Sequence, residues 1–207
     1  MKGFSIVGIG TDVGKTVVSA IVAEAINAAY FKPIQAGDLD NSDRIKIRRW
    51  CSDNVTDYPE IYALTEPMAP HGAAEIDGKK LSLSKIVIPK TDKPLILEGA
   101  GGLMVPLNEK ETFIDLYKKA NLPAIVVSRH YLGSINHTFL TFELLKKHQI
   151  DIAGIIYVGA ENEVTESIIE AHYYPKVLGR VVLPEEIDKT FIQNEARRFS
   201  SLVYEVG

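Results

Sequence analysis

The sequence predicts an α/β protein of three layers, with helices on both faces of a mostly parallel central sheet. Three observations carry that prediction. A short apolar run at residues 3–9 passes through a glycine-containing loop into a segment with helical spacing. From residue 94 to residue 198, apolar runs alternate regularly with helix-patterned segments. The length of 207 residues, 46% of them apolar and 24% charged, suits one sizeable globular core. A single domain over 1–207 is therefore expected.

Residues 3–9 read as the first strand, and Val18, Ile21, Val22, Ala25 and Ile26 place an apolar face on a helix over 15–28. Tyr30-Phe31-Lys32-Pro33-Ile34 reads as a second strand, with Pro33 marking its end because proline offers no N–H to a central ladder. Ser42 or Asp43 caps a helix through Ile45, Ile47 and Trp50. Residues 52–80 are punctuated by Pro59, Pro67, Pro70, Gly72 and Gly78 and read as a loop-rich wall of a site. Leu81 to Ile88 reads as a short helix beside the sheet. Leu95-Ile96-Leu97 is the uninterrupted apolar run of a buried parallel strand, and Glu98 stands where that strand leaves the sheet. Helices near 111–120, 134–147, 163–172 and 185–198 then alternate with strands at 124–127, 152–158 and 177–182.

A net charge of -4 supplies no general attraction to nucleic acid or to an anionic membrane. Lys46, Arg48 and Arg49 read as a solvated helix face, with phosphate or substrate contact as the alternative. Cys51 is the only cysteine, which excludes an intrachain disulfide and a cysteine-rich metal site. No secretory pattern and no apolar run of membrane-spanning length is present, so a cytoplasmic protein is expected.

The chemistry is concentrated in Gly8-Ile9-Gly10-Thr11-Asp12-Val13-Gly14-Lys15-Thr16. A strand, a small-residue loop and Gly-Lys-Thr opening a helix make a phosphate cradle: backbone N–H groups face the ligand, a lysine reaches the phosphates and a threonine hydroxyl faces magnesium. The usual spacing asks for glycine at position 9, where Ile9 stands, so the fit starts at Gly8 with one extra residue. A glycine-rich turn alone does not explain Gly-Lys-Thr directly after a strand. Asp43 and Glu98 are the carboxylates best suited to complete a hard oxygen shell with Thr16. From local sequence, Asp43 is equally a helix cap. Lys32 is either a charge-compensating group beside the nucleotide or a snorkelling surface lysine. Gly99, Ala100, Gly101 and Gly102 allow close backbone approach to a ligand, or simply make a tight turn. Gly133-Ser134-Ile135-Asn136-His137 opens a helix whose exposed N–H groups suit a carboxylate, and His137 reads as a satisfied packing or capping residue rather than a catalytic base.

Several motifs occur in one order: Gly-x-x-Thr-x-Val-Gly-Lys-Thr at 8–16, Phe-Lys-Pro at 31–33, Asn-Ser-Asp at 41–43, Glu-Pro-x-x-Pro-His at 66–71, Glu-Gly-Ala-Gly-Gly at 98–102 and Leu-Gly-x-Ile-Asn-His at 132–137. Together they resemble the dethiobiotin synthetase family of the P-loop NTPase superfamily over most of the chain. The resemblance implies ATP-dependent closure of a cyclic urea from 7,8-diaminopelargonate and carbon dioxide, through a carbamate and a carbamic-phosphoric anhydride. It implies ATP contact by Asp12, Val13, Gly14, Lys15, Thr16, Val17, Asp43, Glu98, Gly99, Ala100 and Gly101. Catalytic roles fall to Thr11, Lys15 and Lys32, and magnesium to Thr16, Asp43 and Glu98. It also implies a homodimer in which Gly133–Asn136 receives the substrate carboxylate of the partner's site.

Two departures from the family pattern stand out. Ala36 replaces a serine or threonine common in relatives, and Val158 stands where an asparagine commonly reads the purine edge; the proline of the later turn is also shifted, to Pro184. Looser nucleotide selectivity follows as an expectation. The alternatives are a related P-loop ligase forming amides or ureas and a partitioning-type regulatory ATPase. The latter usually carries a second lysine early in the loop, where this chain has Gly10.

Overall fold

In the computed structural model, which describes residues 2–205, seven strands run side by side in one main sheet. The first-read elements are β1 (Gly3–Gly8), α1 (Lys15–Ala25) and β2 (Ala29–Phe31). After them come β3 (Ile34–Ala36), α2 (Asp43–Trp50), β4 (Thr56–Tyr58), β5 (Tyr62–Leu64) and α3 (Pro70–Ile76). The second half contains β6 (Leu95–Glu98), α4 (Phe113–Ala120), β7 (Ala124–Arg129), α5 (Ser134–Lys147), β8 (Ile152–Val158), α6 (Glu163–Tyr173), β9 (Val177–Val181) and α7 (Lys189–Arg198). The main sheet has the strand order β4-β2-β6-β1-β7-β8-β9, and every pairing between these strands is parallel. Residues 1, 206 and 207 of the expected 1–207 domain lie outside the described residues.

The layers follow from strand alternation. Successive residues of a strand point to opposite faces. On β9, a Cβ at Gly179 would meet Phe199, which follows α7, while Arg180 pairs with Glu166 of α6. Helices α6 and α7 therefore cover opposite faces. Helix α1 packs on α7 and α2, and α5 packs on α6. The central strands are buried on both sides: Ile6, Leu95, Ile96, Leu97, Ile125, Val126, Ile155 and Ile156 have no exposed surface. Such residues cannot alternate with polar ones, because both sheet faces need apolar contacts.

Three expectations need correction. The second strand does not reach Ile34: β2 ends at Phe31, and after Lys32-Pro33 the chain starts β3, which leaves the main sheet and pairs only with β5. Residues 52–80 hold β4, β5 and α3 as well as loops, because strands of three residues are too short to show a periodicity. Leu81 to Ile88 contains one turn of 3-10 helix over Leu83–Lys85 and is otherwise extended or irregular. By contrast, α5 spans the predicted 134–147, and α4 begins with a full capping box between Thr112 and Asp115.

Candidate nucleotide and substrate site

The carboxyl ends of β1, β2 and β6 meet at one edge of the sheet, the position where open parallel sheets hold ligands. A cavity of about 740 Å³ opens there, with Lys15, Lys32, Asp43, Glu98, Gly101 and Thr11 in its wall.

Helix α1 starts at Lys15 behind Gly14, which has φ 94° and offers no side-chain cap. Its first N–H groups are thereby left open toward the cavity, as phosphate binding requires. Gly14 is needed twice over: its φ lies in the left-handed region, and an added Cβ would sit 3.0 Å from Val158 Cγ1. The Lys15 stem crosses Gly8 so closely that a Cβ there would stand 2.7 Å from Lys15 Cδ. Lys15 Nζ donates to the Gly10 carbonyl at 2.6 Å. Burial of this ammonium lowers its pKa to about 8, against the opposing pull of Glu98.

Glu98 has no exposed surface and sits at the end of β6. Thr16 Oγ1 donates to its Oε1 at 3.0 Å and Tyr30 Oη to its Oε2 at 3.0 Å. Burial pushes the Glu98 carboxyl above the ordinary glutamate range, although Lys32 lies 3.8 Å away and opposes the shift. On the other side, Lys32 Nζ pairs with Asp43 Oδ2. Lys32 is therefore a buried cation between two carboxylates and not a snorkelling surface residue.

The cap at 42–43 is settled by geometry. Ser42 Oγ accepts from the Ile45 N–H at 3.4 Å and caps α2, which frees the Asp43 carboxylate to face the cavity. Gln35 Oε1 accepts from the Asp43 N–H at 3.4 Å. Burial works against the Asp43 carboxylate, but Lys32 and Lys46 outweigh it and hold the group below the ordinary aspartate range. Lys46 turns toward the cavity, 3.3 Å from Asp43 and 3.0 Å from Asp38, so the basic cluster is not one solvated face. Arg48 and Arg49 do stay exposed.

Thr11, Asp12, Gly14, Lys15, Thr16, Val17, Lys32, Asp43, Glu98, Ala100 and Gly101 all line this cavity. Val13 and Gly99 do not. Val13 is buried in the core, and a Cβ on Gly99 would stand 2.3 Å from Tyr117 Oη, so Gly99 is a packing residue against α4. The Gly133–Asn136 turn lies outside the cavity lining, at the start of α5, and His137 is exposed with Nδ1 2.8 Å from Tyr131 Oη.

Sequence reasoning missed Tyr30, Gln35, Trp50 and Leu183 in the site, whereas the Met68-Ala69-Pro70 wall at the start of α3 falls within the 52–80 stretch expected to form one. The Glu-Pro-x-x-Pro-His motif covers that wall. Ala36 lines the cavity, and Val158 lies behind Gly14 with only methyl groups to present.

Thr16, Asp43 and Glu98 bring a hydroxyl and two carboxylates to one place around a lysine ammonium, a hard, electronegative oxygen set that suits magnesium.

Relatives match nearly the whole chain. The ATP-dependent dethiobiotin synthetase of Christiangramia forsetii is 52% identical over 99% of both chains, and that of Cytophaga hutchinsonii is 42% identical over 99% of this chain and all of its own. The chain belongs to the ATP-dependent dethiobiotin synthetase family. The family described as AAA domain also matches residues 2–190. Among solved structures, a ParA family ATPase from Chlorobium tepidum aligns with 99% of this chain and 96% of its own, with TM-score 0.58 and 13% identity. The cell division ATPase MinD of Pyrococcus furiosus covers 97% of this chain and 99% of its own, with TM-score 0.56 and 15% identity. Those likenesses are of fold. The dethiobiotin synthetase family shares the sequence as well, and the partitioning alternative has only the shared architecture in its favour.

Proposed function

We propose that this protein is a single-domain, ATP-dependent dethiobiotin synthase, acting on 7,8-diaminopelargonate and carbon dioxide. One observation carries the reading: Lys15, Lys32, Thr16, Asp43 and Glu98 converge on one cavity in a chain 52% identical to a named dethiobiotin synthetase.

In this reading one substrate amine takes up carbon dioxide as a carbamate. A carbamate oxygen attacks the γ-phosphorus of ATP and ADP leaves. The second amine then attacks the carbamoyl carbon, phosphate departs and the cyclic urea closes, with protons released to solvent. The protein supplies no covalent nucleophile; its task is orientation and charge compensation. Lys15 faces the phosphates from the start of α1, Lys32 balances charge between carbamate and phosphoryl oxygens, and Thr11 offers a hydroxyl beside Gly101. Thr16, Asp43 and Glu98 would hold magnesium, which when bound supplies charge neutralisation at the phosphates.

The active unit is proposed as a homodimer in the cytoplasm, with Gly133–Asn136 of one chain taking the carboxylate of substrate held by the other. Exposed Leu132 beside that turn, and Leu140 on α5, support an apolar contact there. Among the described residues, no helix is long and apolar enough to cross a membrane.

Purified protein given diaminopelargonate, bicarbonate, ATP and magnesium should form dethiobiotin, ADP and phosphate. Nucleotide binding without any dethiobiotin would defeat the proposal. Asn136→Ala should chiefly weaken the diaminopelargonate titration, and an unchanged titration would remove the turn from the site.

A further inference from the structure

The phosphate loop contains one non-glycine residue with left-handed backbone, of a type that tolerates it. Asp12 has φ 55°, in the left-handed region that non-glycine residues adopt at a cost, and Gly14 two positions later has φ 94°. Two left-handed residues in three bend the loop over the start of α1, so the conformation of Asp12 decides where the following N–H groups point. Hydrogen bonds from two sides hold the loop in that shape.

The hold from inside is Lys15, whose ammonium donates to the Gly10 carbonyl at 2.6 Å. A lysine ammonium carries three donors, so phosphate would share Lys15 with that carbonyl. From outside, Arg129 NH1 donates to the Asp12 carbonyl at 3.1 Å, across 117 positions of sequence. Arg129 is the last residue of β7, the strand hydrogen-bonded to β1, and the Ile9 N–H at the entry of the loop already donates to Val127 of the same strand at 3.1 Å. The next strand braces the other end of the loop, with Val158 against Gly14. Arg129 lies outside the cavity wall and reaches the loop through its backbone.

We propose that Arg129 is a positioning residue for the nucleotide: its guanidinium fixes the Asp12 carbonyl and keeps the loop in its binding shape. The proposal rests on nucleotide occupying the 8–16 loop, and it does not depend on the identity of the second substrate. Because the bond is at the surface and between a cation and a neutral carbonyl, its loss should weaken nucleotide by about three- to tenfold.

The test compares Arg129→Ala and Arg129→Lys with the unaltered protein. For Arg129→Ala, the dissociation constants of magnesium ADP and ATP, and the KM for ATP, should rise three- to tenfold. The KM for diaminopelargonate, kcat at saturating ATP and the thermal midpoint without nucleotide should stay unchanged. Hydrogen exchange of the loop amides in the free protein should accelerate. Arg129→Lys, which keeps a cationic donor, should recover most of the affinity. Unchanged nucleotide affinity in Arg129→Ala would overturn the proposal, as would a loss matched by a fall in thermal midpoint, which would make Arg129 a general stabiliser. These titrations need no product, so failure of dethiobiotin synthesis would leave them readable.

Discussion

The Tyr30 phenol donates to Glu98 Oε2 at 3.0 Å, joining the middle of β2 to the last residue of β6 beneath the cavity. Both residues have no exposed surface, so no water replaces that bond if it is removed. Tyr30→Phe keeps the ring packing and orphans one oxygen of a buried carboxyl. It should cost roughly 1–3 kcal/mol of stability in urea unfolding, and turnover should fall as Glu98 loses its orientation. Equal unfolding midpoints for the two proteins would show the bond to be incidental.

Lys32 stands between Asp43 and Glu98, and its removal leaves the buried Glu98 and partly buried Asp43 carboxylates without the cation between them. Lys32→Met should lower kcat by about a hundredfold or more, while nucleotide still binds through the 8–16 loop. Single-turnover phosphate release separates these effects; a kcat within tenfold of the original would remove Lys32 from the chemistry.

Ala36 is the cavity residue whose hydroxyl is missing relative to the family pattern. One new hydrogen bond at that position is worth roughly 0.5–1.5 kcal/mol. The expected outcome of Ala36→Ser is a KM for diaminopelargonate about two- to tenfold lower, with kcat little altered. A raised KM would mean that the wall needs the small apolar group.

Val158 presents methyl groups next to Gly14, and Leu183 is the cavity residue contributed by the chain beyond β9. Neither side chain donates or accepts a hydrogen bond, so neither distinguishes one base edge from another. Initial rates with CTP, GTP and UTP should therefore lie within about tenfold of the ATP rate. Strict rejection of all three would point to backbone readout of the adenine.

Glu166 ties α6 to β9 and to the residue that follows β7: it receives Arg180 and lies 2.7 Å from His130 Nε2. Burial raises its pKa, but hydrogen bonds from Arg180, the Asn162 N–H and His130 more than offset this and leave the carboxyl below the ordinary glutamate range. The folded state thus binds this proton more weakly than the unfolded chain. The stabilisation is complete above the unfolded value, about pH 4.3, and is lost as pH falls through the lower folded value. Urea midpoints measured from pH 6 down to pH 3 should fall less steeply for Glu166→Gln than for the original, and parallel curves would contradict the linkage.

Much of the site was legible because its signals are local. Gly14-Lys15-Thr16 needs only neighbouring residues to make an open helix start, Leu95-Ile96-Leu97 needs only its own apolar run to be a buried strand, and α5 announces both of its ends. Short β4 and β5 were not legible, since three residues carry no period, and the same brevity hid the separate pairing of β3. Gly99 looked like a ligand-facing glycine until the position of Tyr117 made it a packing residue.

The sequence by itself determined that a phosphate loop opens α1, that Glu98 ends a buried strand and that a helix begins at Ser42 or Asp43. Only the tertiary structure decided which charge meets which: Lys32 with Asp43 and Glu98, Tyr30 under Glu98, Arg129 on the Asp12 carbonyl. The reason is physical. Turns, caps and strand runs are set by interactions within a few residues, whereas Tyr30 and Glu98 stand 68 positions apart and Arg129 and Asp12 stand 117 apart. They meet because parallel pairing brings the carboxyl ends of distant strands to one edge of the sheet.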